Sequence, residues 1–369
     1  MKKRKIQLIS IALVLVLFVG AYFGISAYKT NQAAKLANAQ IIQIAKMTDL
    51  TSISYSNGDE DLSFTYDAEN GKWIYDQIPD FPLQKSPFTK IQDTLANFVA
   101  LREVSISEEL DAYGLAEPSR TLQATDTDGN TISLLIGSDS GDGEIDDAGQ
   151  PLHYYAMKNG GSSVYTISND LYTLLSQGLY DIISIDNFPF ATERTMNYIV
   201  LQSGETTLRF EKEAVEMTEE EKAQSLIANS GYHYFWYLVR KDGSRLSLSD
   251  LTLIDNNGQE VAGKQYIDDL VEFIKGGAFA DCIDYKADKE SLEKYGITDP
   301  TLKITVSFNK SDGDEQVFVV DVGGFVEKDT EEESYYIAKL ESSPQLSVLA
   351  ATDINICRNA FQAYTALLG

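Results

Sequence analysis

Two histidines and two cysteines in 369 residues leave few of the side chains from which common catalytic and metal-binding arrangements are built. His153 and His233 lie in aromatic, strand-like contexts, "LHYY" and "YHYF", with no zinc-ligand spacing around either. Neither sits in a pattern that marks it as the base of a nucleophilic triad, so each reads as an ordinary strand histidine. Cys282 and Cys357 are too few for a disulfide framework; they are two buried thiols or, at most, one bridge. Phosphate-cradling "GxxxxGK" and dinucleotide-binding "GxGxxG" are also missing, and with them the usual signals of nucleotide chemistry.

Basic residues are scarce as well: 30 against 56 acidic, a net charge of −26. Four of the 30, Lys2, Lys3, Arg4 and Lys5, are clustered ahead of everything else, so the remainder is more acidic still. Such a body repels phosphate backbones and anionic lipid surfaces, which excludes nucleic acid as its partner.

Only one long apolar run is present. "IQLISIALVLVLFVGAYFGISAY", Ile6 to Tyr28, contains no charged residue. As a helix its 23 residues reach about 34 Å, enough to cross a bilayer core. The basic tail 1–5 predicts a cytoplasmic N-terminus and an extracytoplasmic body. The small-residue site "ANA" at Ala37–Ala39 is too far beyond the run for ordinary signal cleavage, so an uncleaved single-pass anchor in the cell membrane is expected. Residues 29–48 lack Gly and Pro and read as a helical stalk continuing the anchor.

From residue 49 onward the pattern changes to short alternating segments divided by turn signals, which predicts an α+β fold of mainly antiparallel hairpins with packed helices. A helix is expected with Ser86 as its N-cap, Pro87 just inside its start and Ile91, Leu95, Phe98 and Leu101 along one face. Asp128-Gly129 marks a hairpin turn.

The chain then repeats its own punctuation. Gly58, Leu62 and Phe64 are matched 146 residues later by Gly204, Leu208 and Phe210, and Trp73 is matched by Trp236 at 163. Tyr113, Gly114 and Pro118 return as Tyr295, Gly296 and Pro300 at 182, and Tyr154-Tyr155 as Tyr335-Tyr336 at 181. This order predicts two tandem units, 49–187 and 195–369, joined by a linker at 188–194. The change of offset from 146 to 163 places an insertion in the second unit, where Thr218 and Glu221 form a capping-box pattern and predict a surface helix. In "YGLAEP" and "YGITDP" a short helix ends at Gly114 or Gly296, Leu115 or Ile297 folds back, and Pro118 or Pro300 prevents continuation.

The acidic loop "GSDSGDGEIDDAG" offers Asp139, Asp142, Glu144, Asp146 and Asp147 as oxygen ligands, but without the EF-hand spacing; it is a solvated hairpin loop or a calcium site.

In Tyr113, Gly114, Leu115, Pro118, Gly137, Tyr155, Val164 and Tyr165, the sequence resembles the family called domain of unknown function 4340. The second unit keeps Tyr295, Gly296, Pro300, Gly323 and Tyr336, with "LSVLA" in place of the Val-Tyr strand. The resemblance implies an extracytoplasmic accessory protein of an ABC-type transport or envelope system, with a permease or other envelope protein as partner. It implies no catalytic residue and no cofactor. The leading expectation is therefore a non-enzymatic, membrane-anchored module. The alternatives are a small-ligand or wall-polymer binder using Tyr and Trp between the copies, with Trp73 and Trp236 as the discriminating side chains, and, behind it, an envelope hydrolase.

Overall fold

The computed structural model describes residues 42–106, 108–224, 231–254 and 258–368. The basic tail, the apolar run 6–28 and the stalk up to residue 41 lie outside them; among the described residues no helix is long and apolar enough to cross a membrane.

The chain divides into two compact units, one running through Pro79 and from Lys85 to Gly178, the other comprising Asp80–Gln84 and everything from Leu179. This differs from the contiguous division expected from sequence. Five residues of the first half belong to the second unit because their backbone is paired there. Leu83 bridges Ile183, the N–H of Gln84 donates to the Ile182 carbonyl, and that of Ser184 to the Pro82 carbonyl. Asp80 is ion-paired with Lys286, and the Phe81 ring packs on Tyr180 and Tyr285.

In the first unit, β1 (Ile42–Ala45) pairs with β5 (Phe98–Ala100) as a separate two-stranded sheet. The main sheet is formed by β2 (Leu50–Ser56), β3 (Asp61–Asp67), β4 (Lys72–Tyr75), β6 (Arg102–Val104), β7 (Arg120–Asp126), β8 (Thr131–Asp139), β9 (His153–Lys158) and β10 (Val164–Ser168). Its order is β4-β3-β2-β7-β8-β9-β10-β6, and every pairing is antiparallel. Alternation sends Ile53, Tyr55, Leu62, Phe64, Leu122, Leu134 and Ile136 to one face. That face is covered by α1 (Ser86–Ala96) and α2 (Asn169–Leu174); Phe88 of α1 meets Phe64 edge-on at 4.9 Å and stacks on Trp73 at 5.0 Å.

Two local expectations are corrected here. The helical stalk does not reach Met47: Ile42–Ala45 is a strand, and Ile44 and Met47 are buried. Pairing with β5 outweighs the helix propensity of this segment. For the same reason α1 stops at Ala96, Phe98 lies in β5, and Leu101 is exposed rather than on the helix face. Ser86 opens the helix with no side-chain cap, Lys85 occupying the cap position.

The second unit contains β11 (Met196–Ser203), β12 (Thr206–Glu216), β13 (Tyr232–Val239), β14 (Arg245–Ser247), β17 (Asp281–Asp284), β18 (Leu302–Asn309), β19 (Glu315–Val326), β20 (Tyr335–Leu340) and β21 (Leu346–Ala350). A small separate hairpin is made by β15 (Thr252–Ile254) and β16 (Glu260–Ala262). The main order is β14-β13-β12-β11-β18-β19-β20-β21-β17, which follows the first sheet strand for strand with one added at the edge. The helices α4 (Gly263–Gly276) and α6 (Ala351–Thr365) cover its inner face, where the Tyr364 ring meets Phe210 at 5.2 Å and its hydroxyl donates to the Gly263 carbonyl. Between them, α5 (Lys289–Lys294) is capped by Asp288, which accepts the N–H of Ser291. The inserted helix α3 (Glu219–Gln224) carries the expected box, with Glu221 accepting the N–H of Thr218 at 2.8 Å and Thr218 Oγ1 accepting the N–H of Glu221 at 3.3 Å. Residues 188–194 are not a free linker: Phe188 packs against Phe273, Phe279 and Phe318, and Ala191 is in the core.

The registers also correct the expected match at 181. Ile136 pairs with Ala156 and Asp139 with Tyr154; Val322 pairs with Ala338 and Phe325 with Tyr336. Tyr154 therefore corresponds to Tyr336, and a one-residue slip would have put one of them on the wrong face.

Because Ile44 is buried in a strand, Ile44→Ala should destabilise the protein by about 2–4 kcal/mol in urea unfolding. A solvated stalk at this position would give no change.

Candidate functional site

The residues singled out by sequence form two clusters of the same build. In the first unit a single 3-10 turn, Leu110–Tyr113, ends at Gly114, whose φ is 64°. The Gly114 N–H donates to the Asp111 carbonyl and the Leu115 N–H to the Leu110 carbonyl, both at 2.9 Å. In the second, α5 ends before Gly296, with φ 71°; Gly296 donates to Glu293 at 3.2 Å and Ile297 to Leu292 at 2.9 Å. The five-residue backward bond, with an apolar residue folded under the helix end, is the Schellman stop. Leu115 packs on Tyr113, Met157 and Val164; Ile297 packs on Ile337 and Leu346.

Each stop is seated on a strand. A Cβ at Gly137 would lie 2.1 Å from the Tyr113 carbonyl oxygen, and one at Gly323 would lie 2.2 Å from that of Tyr295. At both places the strand bulges, between Ile136 and Asp139 and between Val322 and Phe325. In the second unit the bulge turns the Gly324 N–H onto the Tyr295 carbonyl at 2.8 Å. The residue after each proline completes the contact. Ser119 Oγ donates to the Ile136 and Gly137 carbonyls at 3.2 and 3.0 Å, and Thr301 Oγ1 to those of Val322 and Gly323, both at 3.2 Å. Sequence reading missed Ser119 and Thr301, although a hydroxyl following both prolines at the shared spacing of 182 was the signal. Thus Tyr113, Gly114, Leu115, Pro118 and Gly137 come together, as do Tyr295, Gly296, Ile297, Pro300 and Gly323, as two turn-and-bulge locks.

Groups capable of chemistry are arranged differently. His153 Nδ1 lies 2.7 Å from Asp142 Oδ2, which also accepts the Ser140 hydroxyl at 2.8 Å. The backbone N–H of Glu144, then His153 and Ser140, hold the Asp142 carboxyl down to about 2. This fixes an imidazole but activates no nucleophile, since the serine bonds the carboxylate and not the ring. Two other carboxylates of this loop cap their own turns, Asp139 accepting the N–H of Gly141 and Asp146 those of Ala148 and Gln150, while Glu144 Oε2 lies 3.9 Å from His153 Nδ1. Among the described residues no three His, Cys, Asp or Glu side chains converge as a metal-holding group. His233 Nε2 lies 3.2 Å from Glu221 Oε1 beside the capping box.

Cys282 and Cys357 are free and buried. Burial pushes the Cys282 thiol up to about 11 and raises that of Cys357 as well, so neither is an activated thiolate. Lys212, which sequence reading did not select, is pushed down to about 8 by burial. Its ammonium is held by the Glu193 and Arg194 carbonyls and lies 4.8 Å from the Tyr234 ring centre. Its cross-strand neighbour Trp236 is 2% exposed and donates from Nε1 to Glu193 Oε1. This is a fastening of the 193–194 backbone onto β12.

Fold and clusters together define an α+β protein whose most patterned residues determine backbone geometry. Residues 73–232 match the family model described as "Domain of unknown function (DUF4340)", the family that the turn residues resemble. The match includes the first lock and ends before the second. No curated protein and no solved structure matches the chain.

Gly137→Ala and Gly323→Ala should each cost about 3 kcal/mol, since a backbone atom occupies the Cβ position. Gly129→Ala, at φ 81° with nothing within 4 Å, should cost only about 1 kcal/mol in the same unfolding experiment. The Asp142 carboxyl is lowered from 3.8, so its contribution to stability is full above that value and is lost as pH falls toward about 2. Asp142→Asn should flatten the acid limb of the stability–pH curve in this window and leave the alkaline limb unchanged.

Proposed function

We propose that this chain is a non-enzymatic, membrane-anchored extracytoplasmic accessory protein made of two copies of one α+β unit, serving an ABC-type transport or envelope system. The observation that carries the reading is the use made of the patterned residues. Tyr113, Gly114 and Gly137 in one unit, and Tyr295, Gly296 and Gly323 in the other, all determine main-chain geometry. What such a pattern maintains is a rigid body, and rigid bodies carry docking surfaces.

The shared strand order supports duplication, as does the equivalence of Ser119 with Thr301 and of the two bulges. The N-terminal sequence supports the anchor. Since Ile42 already lies in the body, at most residues 29–41 separate it from the apolar run. Even fully extended, that tether spans about 45 Å, which keeps the body at the membrane surface. The two tryptophans weigh against an aromatic ligand platform: Trp236 is buried, and Trp73 stacks on Phe88 and meets Tyr66 at a tilt.

Replacing residues 1–41 with an unrelated single-pass anchor leaves β1 intact. The expected result is loss of the permease from the material co-purified out of native membranes, with the body still folded by circular dichroism. Undiminished co-purification would assign the docking to the body instead.

A further inference from the structure

We propose that the uncovered outer face of the first unit's sheet binds a neutral, hydroxyl-rich polymer, a saccharide chain. This goes beyond the accessory role and does not depend on the anchor. The opposite face of the sheet is the core, and the lock at Tyr113–Leu115 covers only part of the outer face, packing on Leu135, Met157 and Val164. The strands on the other side of the lock are left open.

Across four of them one row of side chains stands in register: Ser63 opposite Ser54, Ser54 opposite Gln123, and Gln123 opposite Ser133. They line a groove of about 400 Å³, together with Gln77 and Asn159. Ser133 and Asn159 are shared with a second groove of about 440 Å³ that runs toward β1, so the path is elongated. With strands about 4.8 Å apart, the row spans about 14 Å.

Three features select the ligand. Among the described residues, none of the four side chains of the row makes a side-chain hydrogen bond within the protein, so three hydroxyls and one amide offer donors and acceptors together. The row itself carries no charge; Asp61 is the one acidic or basic residue lining the first groove, and Lys46 and Lys158 line the second, so neither sign of ligand is favoured along the path. And the sheet backbone beneath it is already paired on both sides, which excludes an added peptide strand.

The second unit shows that the fold does not impose this surface. Its equivalent row is Arg209, Val200, Thr305 and Val319. There Arg209 is bonded to Glu211 at 2.8 Å and lies over the Tyr198 ring at 3.9 Å, so the polar group is satisfied internally. That row keeps one hydroxyl, Thr305, between two valines, where the first unit's row has three hydroxyls and an amide. The groove has no exposed ring for stacking, because Tyr55 is buried with its hydroxyl on the Gln177 carbonyl. Affinity should accordingly be modest, with Kd on the order of 0.1–1 mM.

The test is calorimetric titration of the full-length chain in phospholipid nanodiscs, which avoids sugar-headed detergents, with chitohexaose, cellohexaose and maltohexaose. At least one should bind. Changing Ser54→Ala and Gln123→Ala together should weaken that binding about tenfold, as the loss of two net hydrogen bonds predicts. Gln123→Glu, which keeps the side-chain volume, should weaken it too, and Thr305→Ala in the second unit should not. Failure of all three sugars at millimolar concentration overturns the proposal. So does binding that survives the Ser54 and Gln123 changes, or binding of a neutral Ser/Thr-rich peptide at the same site in their place.

Discussion

A main-chain oxygen stands where a side-chain carbon would have to be. With the Tyr113 carbonyl 2.1 Å from a would-be Cβ of residue 137, and Tyr295 at 2.2 Å from that of residue 323, only glycine permits the contact. The rest follows from it. The left-handed glycine at 114 or 296 reverses the chain, the following Leu or Ile is pressed onto the sheet, and the strand bulges to receive the turn. The bulge shifts the register of the next strand, which is why Tyr154 and Tyr336 lie against the core. By covering only part of the outer face, the turn also determines which strands stay open.

Beside those tyrosines the two units reach one arrangement by different residues. In the first, Arg120 of β7 lies 4.9 Å from the centre of Tyr172, which is stacked on Tyr154 at 3.7 Å, and its Nε donates to Ser176. In the second, Arg358 of α6 lies 4.8 Å from the centre of Tyr336, and its Nη2 donates to Thr301. In one unit a strand supplies the arginine and the turn after α2 the hydroxyl; in the other a helix supplies the arginine and the residue just before β18 the hydroxyl. At the spacing of 182, Arg120 stands opposite Leu302 and Arg358 opposite Ser176, so residue-by-residue comparison sees two mismatches where space holds one contact.

That pair of arginines shows what was legible in the sequence. Local chemistry was: Asp128-Gly129 as a hairpin turn with Gly129 at φ 81°, Gly114 and Gly296 as chain reversals, and Thr218 with Glu221 as a helix cap. These depend on a few consecutive residues. Contacts distant in sequence were not. Ile42–Ala45 has helical composition and becomes a strand because β5 is there to pair with it; Asp80–Gln84 joins the second unit because Ile182 and Ser184 take its backbone bonds. Ser119 and Thr301 were invisible as partners because the carbonyls they hold belong to a strand one hairpin away.

The two sheets share a strand order but not an outer surface. The constraint at the lock acts on main-chain atoms and small residues, so it tolerates any outward-facing side chain on the neighbouring strands. In the second unit that freedom is taken up by Arg209, Glu211 and Tyr198, which satisfy one another, and by Lys303 paired with Asp321 at 3.1 Å. In the first unit the row of Ser63, Ser54, Gln123 and Ser133 carries short hydroxyls and an amide whose side chains make no hydrogen bond among the described residues. A surface whose polar groups are matched internally has little left to offer a ligand, whereas one whose groups are free and uncharged exchanges water for another hydroxyl at small cost. The two units therefore differ in outer surface for the same reason that they agree in strand order: the residues that determine the backbone are not those that face outward.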